Sequence, residues 1–453
     1  EFDFKSRLPV ITSISAIIFI VIFFCQIFPE LISAFKHHKS LSVQFEFGGT
    51  AGNKNFLAEF LCVNLFFILP GLITNRNQFK KLLIVAALLT GLTILYLNSF
   101  SAIMAAVAGM IYFFVVTDRS FLKQNFIYKW WGIALLLMMV IFGCTNEFVQ
   151  GKVKEFYQNA WHKPDIHSAD PLNNNSVFER RLMGWNSLQL INEHPLLGSG
   201  FNNWKIEQAK FGIGGNPYLN TGMERFEHPH NEYLSIASEI GLSGLFIFLV
   251  LILFVFRWKH DKESAISNFQ FGASKGALIA MLIICIFSYP LHRELTMILA
   301  SVHLVVLIQG RESSRNLRLN KQYLGPIGLI IILMTVLIYT LRLRSDYFLG
   351  QGIAAQLSRK LDKAKENYRE ANTVFFPLDD KGTPLEWYYG NELFRSGDLP
   401  GACLQLEAGR QKNPYHSRLL NDLGTVYDQR GLSDSAISCY SRALKYCPGM
   451  IET

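Results

Sequence analysis

His228-Pro229-His230-Asn231-Glu232-Tyr233-Leu234-Ser235-Ile236-Ala237-Ser238-Glu239-Ile240-Gly241-Leu242-Ser243-Gly244 runs directly into an apolar stretch, Leu-Phe-Ile-Phe-Leu-Val-Leu-Ile-Leu-Phe-Val-Phe, that ends at Phe256. An apolar run of this kind reads as a membrane-crossing helix, and 233–256 is taken as one span. The polar head therefore sits where a loop meets lipid. It carries two imidazoles, a carboxamide and a carboxylate. Imidazole titrates nearest neutrality, so it can take and return a proton there. The plain alternative is that these histidines cap the helix that follows.

Similar apolar runs occur at 8–29, 55–74, 82–98, 101–117, 128–144, 271–289, 294–309 and 324–341. The chain has 453 residues, 50% of them hydrophobic and only 17% charged. The expected fold is all-α: a polytopic transmembrane helical bundle of about nine spans, with a large exported loop and a C-terminal helical-repeat domain. The expected boundaries are 1–144 for the first spans, 145–231 for the loop, 232–342 for the later spans and 345–453 for the repeats. The first residue is Glu1, not Met, and further spans are expected ahead of it.

The formal charge of +8 is not a nucleic-acid footprint. Its basic residues fall in alternate short loops: Lys5 and Arg7; Arg76, Lys80 and Lys81; Arg119, Lys123 and Lys129; Arg257, Lys259 and Lys262; Arg311, Arg315, Arg318 and Lys321. That alternation places these loops in the cytoplasm and puts the 145–231 loop and the tail on the exported face. Arg342 and Arg344 run against the rule at the last span. Of seven cysteines, three lie in the tail, and no spacing resembles a metal site, so helix packing is their expected use.

The tail repeats itself. An offset of 34 carries Tyr389 to Leu423, Gly390 to Gly424, Ala402 to Ala436, Leu406 to Tyr440 and Pro414 to Pro448. A degenerate earlier copy keeps Ala364, Tyr368 and Ala371 on its second helix. This period, with Gly, Ala, aromatic and Pro at these places, resembles the tetratricopeptide repeat. Such arrays offer a concave surface to a peptide or another protein, so a protein partner is expected there.

Within the loop, 178–194 reads as a helix with Leu182, Trp185, Leu188 and Ile191 on one stripe. It ends at His194-Pro195, before a tight turn, Leu-Leu-Gly-Ser-Gly. Arg181 starts the helix. Taken alone it could simply pair with Glu179. Guanidinium also suits a pyrophosphate, which it can grip through two hydrogen bonds. Arg180, Arg225 and Arg293 are the other basic candidates on that side. No Asp-x-Asp cluster marks a metal site at the membrane surface, and no cofactor is expected.

These segments resemble the O-antigen ligase/polymerase superfamily, which includes lipopolysaccharide O-antigen ligases, O-antigen polymerases and bacterial protein O-oligosaccharyltransferases. The likeness rests on His230-Asn231 followed at Gly241 by Gly-Leu-Ser-Gly, on Gly49–Ala58 before a span, on Arg181 to Trp185 with His194–Gly200, and on Ser288-Tyr289-Pro290-Leu291. It covers about 45–310. It implies a metal-independent glycosyltransferase in the bacterial inner membrane, with its loop and repeats in the periplasm. The donor would be a glycan on polyprenyl pyrophosphate in membrane lipid. The acceptor would be a hydroxyl of lipid A core, a protein or a polysaccharide end. His230 would be the base, with His228 a possible partner in that role. Arg181 would neutralise the pyrophosphate, with Arg225 as second choice. Asn231 or Glu232 would orient the imidazole, and Arg180, Asn53, Asn55 and Arg293 would contact substrate. Asn53 and Asn55 have a plain alternative as caps of the helix they precede. One departure stands out: where the family has Ser-Arg, this chain has Ser99-Phe100. The competing class is a non-enzyme, a transporter or a scaffold that recruits partners through its repeats. Transporters bury ionisable residues in mid-span, and these spans carry almost none.

Overall fold

The computed structural model describes residues 4–37, 53–74, 79–116, 137, 176–214, 217–222, 225–262, 264, 266–311 and 321–450. The expected span at 128–144 apart from residue 137, residues 145–175 of the loop, and residues 49–52 ahead of Asn53 lie outside them. Among the described residues the elements are helices, and β pairing is limited to isolated bridges. The helices are α1 (Phe4–His37), α2 (Lys54–Thr74), α3 (Lys80–Leu97), α4 (Phe100–Val116), α5 (Ser176–Glu193), α6 (Glu232–Glu239), α7 (Gly241–Phe256) and α8 (Asn268–Phe287). They continue with α9 (Glu294–Gly310), α10 (Lys321–Leu357), α11 (Leu361–Ala371), α12 (Leu385–Arg395), α13 (Leu399–Lys412), α14 (Ser417–Gln429) and α15 (Ser433–Tyr446). Five of them, α1, α2, α3, α8 and α10, are long and apolar enough to cross a membrane, and α4, α7 and α9 are shorter apolar helices. The chain is an all-α membrane protein.

The chain divides into two compact units. The membrane unit holds α1–α4, residues 230–233, most of α7, and α8 and α9. Within its apolar core, α4 and α8 meet along a seam of small side chains. Ala102, Ala105 and Ala106 of α4 and Ala273, Ala277 and Ala280 of α8 are all fully buried. Where the two helices cross, a methyl group on Gly276 would stand 2.8 Å from the Gly109 carbonyl. Helices in lipid gain little from hiding apolar surface, so close backbone approach at Gly and Ala is what holds them together.

The second unit joins residues 161–229 and 234–245 to the tail from 315 onward. Here the loop lies against the helical tail. Ile213 N–H donates to the Tyr446 carbonyl at 2.8 Å, and Lys205 Nζ donates to the Asp380 carbonyl at 2.8 Å. Cys447 is buried, with Sγ 3.2 Å from the Asn220 carbonyl.

Three helix pairs in the tail share one contact, a glycine facing a large side chain 16 residues later. Methyl groups added at Gly390 and Gly424 would meet Leu406 at 3.0 Å and Tyr440 at 2.7 Å. Gly352 meets Tyr368 in the same way, and Gly352 lies on α10. The first helix of the degenerate copy is thus the far end of the last span.

Two sequence expectations change, and one open alternative gains a bond. The run 233–256 is two helices, because Gly241 adopts φ +82° and ends the first. The buried face of α5 is Leu182, Met183, Asn186, Ser187 and Leu190, while Leu188 is 51% exposed. A strict spacing of three drifts around a helix of 3.6 residues per turn. Asn186 and Ser187 tolerate burial through hydrogen bonds. Asn186 Nδ2 donates to Gln208 Oε1 and the Gly212 carbonyl, and Ser187 Oγ accepts from Trp204 Nε1 at 2.8 Å. Finally, Asn53 caps α2, its Oδ1 accepting the Asn55 N–H at 2.8 Å, while Asn55 lies in the first turn.

Candidate active site

The membrane unit gathers a polar cluster at the start of α6 and the turn after α8. His230 holds φ +51°, an uncommon left-handed conformation for a residue with a Cβ. Such positions persist only where surroundings enforce them, and they concentrate at active sites. The next three residues tie α6 to the end of α8. Asn231 Nδ2 donates to the Ile286 carbonyl at 3.0 Å, and Tyr233 Oη donates to the Leu282 carbonyl at 2.9 Å. Glu232 is buried, accepts the Leu291 N–H at 3.4 Å, and stands 3.1 Å from His292 Nδ1.

Tyr289 is the hub. Its ring meets the His230 imidazole edge-on at 5.1 Å and the Arg293 guanidinium at 4.5 Å. Arg293 also lies over Phe56, 3.1 Å from the ring centre, and ion-pairs with the buried Glu59. Its NH2 donates to Ser288 Oγ at 2.8 Å. Glu59 accepts in turn from Ser288 and Ser101. Aromatic faces attract the guanidinium, and the carboxylate removes the cost of burying its charge unpaired.

Arg293 therefore shares Glu59 with Ser101, one residue past Phe100, where the resemblance led to an expected arginine. Phe100 itself packs edge-on to Phe287 at 5.3 Å. Asn53 caps the helix that carries Phe56 and Glu59, and Asn55 lies in its first turn.

The remaining candidates belong to the loop–tail unit. Arg180 is exposed and Arg181 partly buried on α5, and His228 is partly buried in the coil before His230. Arg225 lies among tail residues. Burial pulls its guanidinium down to about 10, against the opposing pull of Asp379, so it stays charged at neutral pH.

Sequence reasoning missed the weight of Glu59, Tyr289 and His292. A lone carboxylate inside an otherwise apolar span was the available signal for Glu59, because such residues mark function by default. Tyr289 opens the Tyr-Pro-Leu motif and His292 follows it, but no spacing shows that Tyr289 meets the His230 ring or that His292 meets Glu232.

Residues 85–249 match the model of a family described as O-antigen ligase. The matched stretch includes Phe100, Arg181, Arg225, His228 and His230, and it ends before Tyr289 and Arg293. No curated protein matches the chain.

Proposed function

We propose that this chain, a member of the O-antigen ligase superfamily, moves a glycan from a polyprenyl-pyrophosphate donor to an acceptor hydroxyl. One observation carries the reading: a left-handed histidine and an aromatic-stacked arginine touch the same tyrosine ring. A base and a cation thus converge at the end of a membrane helix. In the reaction His230 removes the acceptor proton. The freed oxygen attacks the anomeric carbon, and the bond from that carbon to the pyrophosphate oxygen breaks. The lipid pyrophosphate leaves with the electron pair, and guanidinium charge stabilises it. Arg293 is well placed for this by its neighbourhood with Ser101. Arg181, with Arg225 second and Arg180 beside it, stays a candidate for the same anion on its chemistry alone.

Asn231 and Glu232 act by fixing the start of α6, and through it the strained His230. His228 is the alternative base. The acceptor is a hydroxyl of lipid A core, of a protein or of a growing glycan. The reaction faces the periplasm from the bacterial inner membrane, where activated sugars arrive on lipid. The tail is a tetratricopeptide-type array whose first task is to hold the loop.

The test is a purified assay with lipid-pyrophosphate donor. His230→Ala should lower turnover by roughly 10²–10⁴-fold with folding unchanged, the usual worth of a general base. A larger loss in His228→Ala would transfer the role to that residue. Full activity in both would end the reading.

A further inference from the structure

The turn that follows α5 is built like a small bracket on the break between α6 and α7. Ser199 N–H donates to the Ser238 carbonyl and Gly200 N–H to the Glu239 carbonyl, both at 2.9 Å. In return Leu242 N–H donates to the Pro195 carbonyl at 2.8 Å, and Ser243 Oγ donates to the Leu196 carbonyl at 2.6 Å. Two glycines permit the approach. Gly198 (φ +69°) lies against the Glu239 backbone, and Gly241 (φ +82°) lies against the Leu196 carbonyl. Any side chain at either place would collide.

This bracket gives partners to the Ser199 and Gly200 N–H groups and to the Pro195 and Leu196 carbonyls, and the turn's large side chains face outward. Leu196 is 69% exposed, Leu197 81% and Phe201 76%. A soluble surface rarely displays three such residues together on a fixed turn. The helix to which the turn is bonded continues with Leu242, Phe246, Ile247, Leu251 and Phe254, all exposed. It has no ionisable side chain from Gly241 to Phe256. A helix apolar on its exposed faces meets lipid.

We propose that Leu196, Leu197 and Phe201 insert into the acyl region of the bilayer and anchor the loop beside the start of α7. The occupant is membrane lipid because the turn continues the lipid-facing surface of α7. Hydrocarbon does not tolerate lipid-exposed non-helical backbone, so the three side chains reach the acyl region from a turn whose backbone stays at the interface. The stretch reads in the sequence as part of an aqueous loop. The proposal depends on α7 entering the membrane and not on the transfer reaction.

The test places an environment-sensitive nitrobenzoxadiazole label at Leu197→Cys in protein reconstituted into phosphatidylcholine vesicles. Signal from the parent protein, treated identically, is subtracted. Leu251→Cys on α7 and Lys381→Cys in the polar connector of the tail serve as references. Leu197 is exposed, so its replacement removes little packing. The expected result is blue-shifted emission at position 197 that acyl-brominated phosphatidylcholine quenches to the same fraction as at 251, with 381 unquenched. Behaviour like that of 381 overturns the proposal. Blue-shifted emission that brominated lipid leaves unquenched overturns it too, because the turn would then be covered by protein or by a second copy. An unquenched label at 251 removes its premise.

Discussion

The membrane unit and the loop–tail unit hold their charges differently. In the first, charge is scarce and deeply held. Glu59 and Arg293 share a site lined by Phe56 and Tyr289, and Lys275 donates to the Phe256 and Trp258 carbonyls at 2.9 and 2.7 Å. In the second, Glu386 and Glu392 are buried beside Lys412 and Arg395, but charge is plentiful and pairs such as Arg344–Glu370 sit half exposed on helix surfaces. Specificity in the first unit comes from a few interactions that cannot be spared. In the second it comes from shape, a glycine facing a bulky side chain in each helix pair. Substitution should expose this difference.

The largest effect is expected at Glu59. Glu59→Leu leaves Arg293 buried without its carboxylate, which should cost about 3–5 kcal/mol. The double change, Glu59→Leu with Arg293→Leu, removes both charges and should recover a large part of that loss. Thermal unfolding in detergent measures both. A double variant no better than the single would mean that the pair does not act as a unit, and the contrast between the two regions would weaken.

Next comes shape in the tail. Gly424→Ala would drive a methyl group to 2.7 Å from the Tyr440 ring. Such overpacking should cost about 1–3 kcal/mol. Adding Tyr440→Leu exchanges the ring for the side chain found at the equivalent contact, where a methyl group on Gly390 would stand 3.0 Å from Leu406, and should relieve part of the strain. Lack of relief in that double variant would show that the pairs are not equivalent.

The third prediction concerns pH. His416 is buried, and its Nδ1 accepts the Leu419 N–H at 3.0 Å, which caps α14. Burial, helped by the charges of Arg225 and Arg418, holds its imidazole well below the usual range. The folded form thus stays neutral where the unfolded chain binds a proton. Its contribution is complete above the unfolded value of about 6.5 and falls as pH drops below it, by up to about 1.4 kcal/mol per pH unit. Comparing unfolding midpoints of parent and His416→Asn at pH 7.5 and 5.5 isolates this share, since Asn can still cap. Equal pH dependence in both proteins would remove His416 as its source.

The sequence exposes some of this organisation and hides the rest for physical reasons. Spans are legible because hydropathy alone decides them. The 34-residue period is legible because Gly390 and Gly424 must face partners at the same distance. The same rule, applied backwards from Tyr368, would have found Gly352, but the apolar run of the last span masks the start of the repeat. The break at Gly241 is hidden because both sides are apolar and only a backbone angle separates them. The cluster around Tyr289 is hidden because Phe56, Glu59, His230 and Arg293 come from distant parts of the chain. The motifs named His230, but packing alone brings it to Tyr289.

The smallest effect is expected at Arg344. Its guanidinium stands 2.7 Å from Glu370, with the two side chains 52% and 47% exposed. Water solvates both partners when they separate, and holding two long side chains together costs entropy, so Arg344→Ala should lose less than about 1 kcal/mol. Raising salt should shrink even that, since exposed pairs are screened within roughly 8 Å at physiological ionic strength. The buried Glu59–Arg293 pair should respond far less to salt. Unfolding midpoints of the parent, Arg344→Ala and Glu59→Leu at low and high salt would separate the cases. If Arg344→Ala costs as much as Glu59→Leu, the loop–tail unit depends on charge as strictly as the membrane unit does. The distinction between a paired interior and a shape-fitted surface would then be lost.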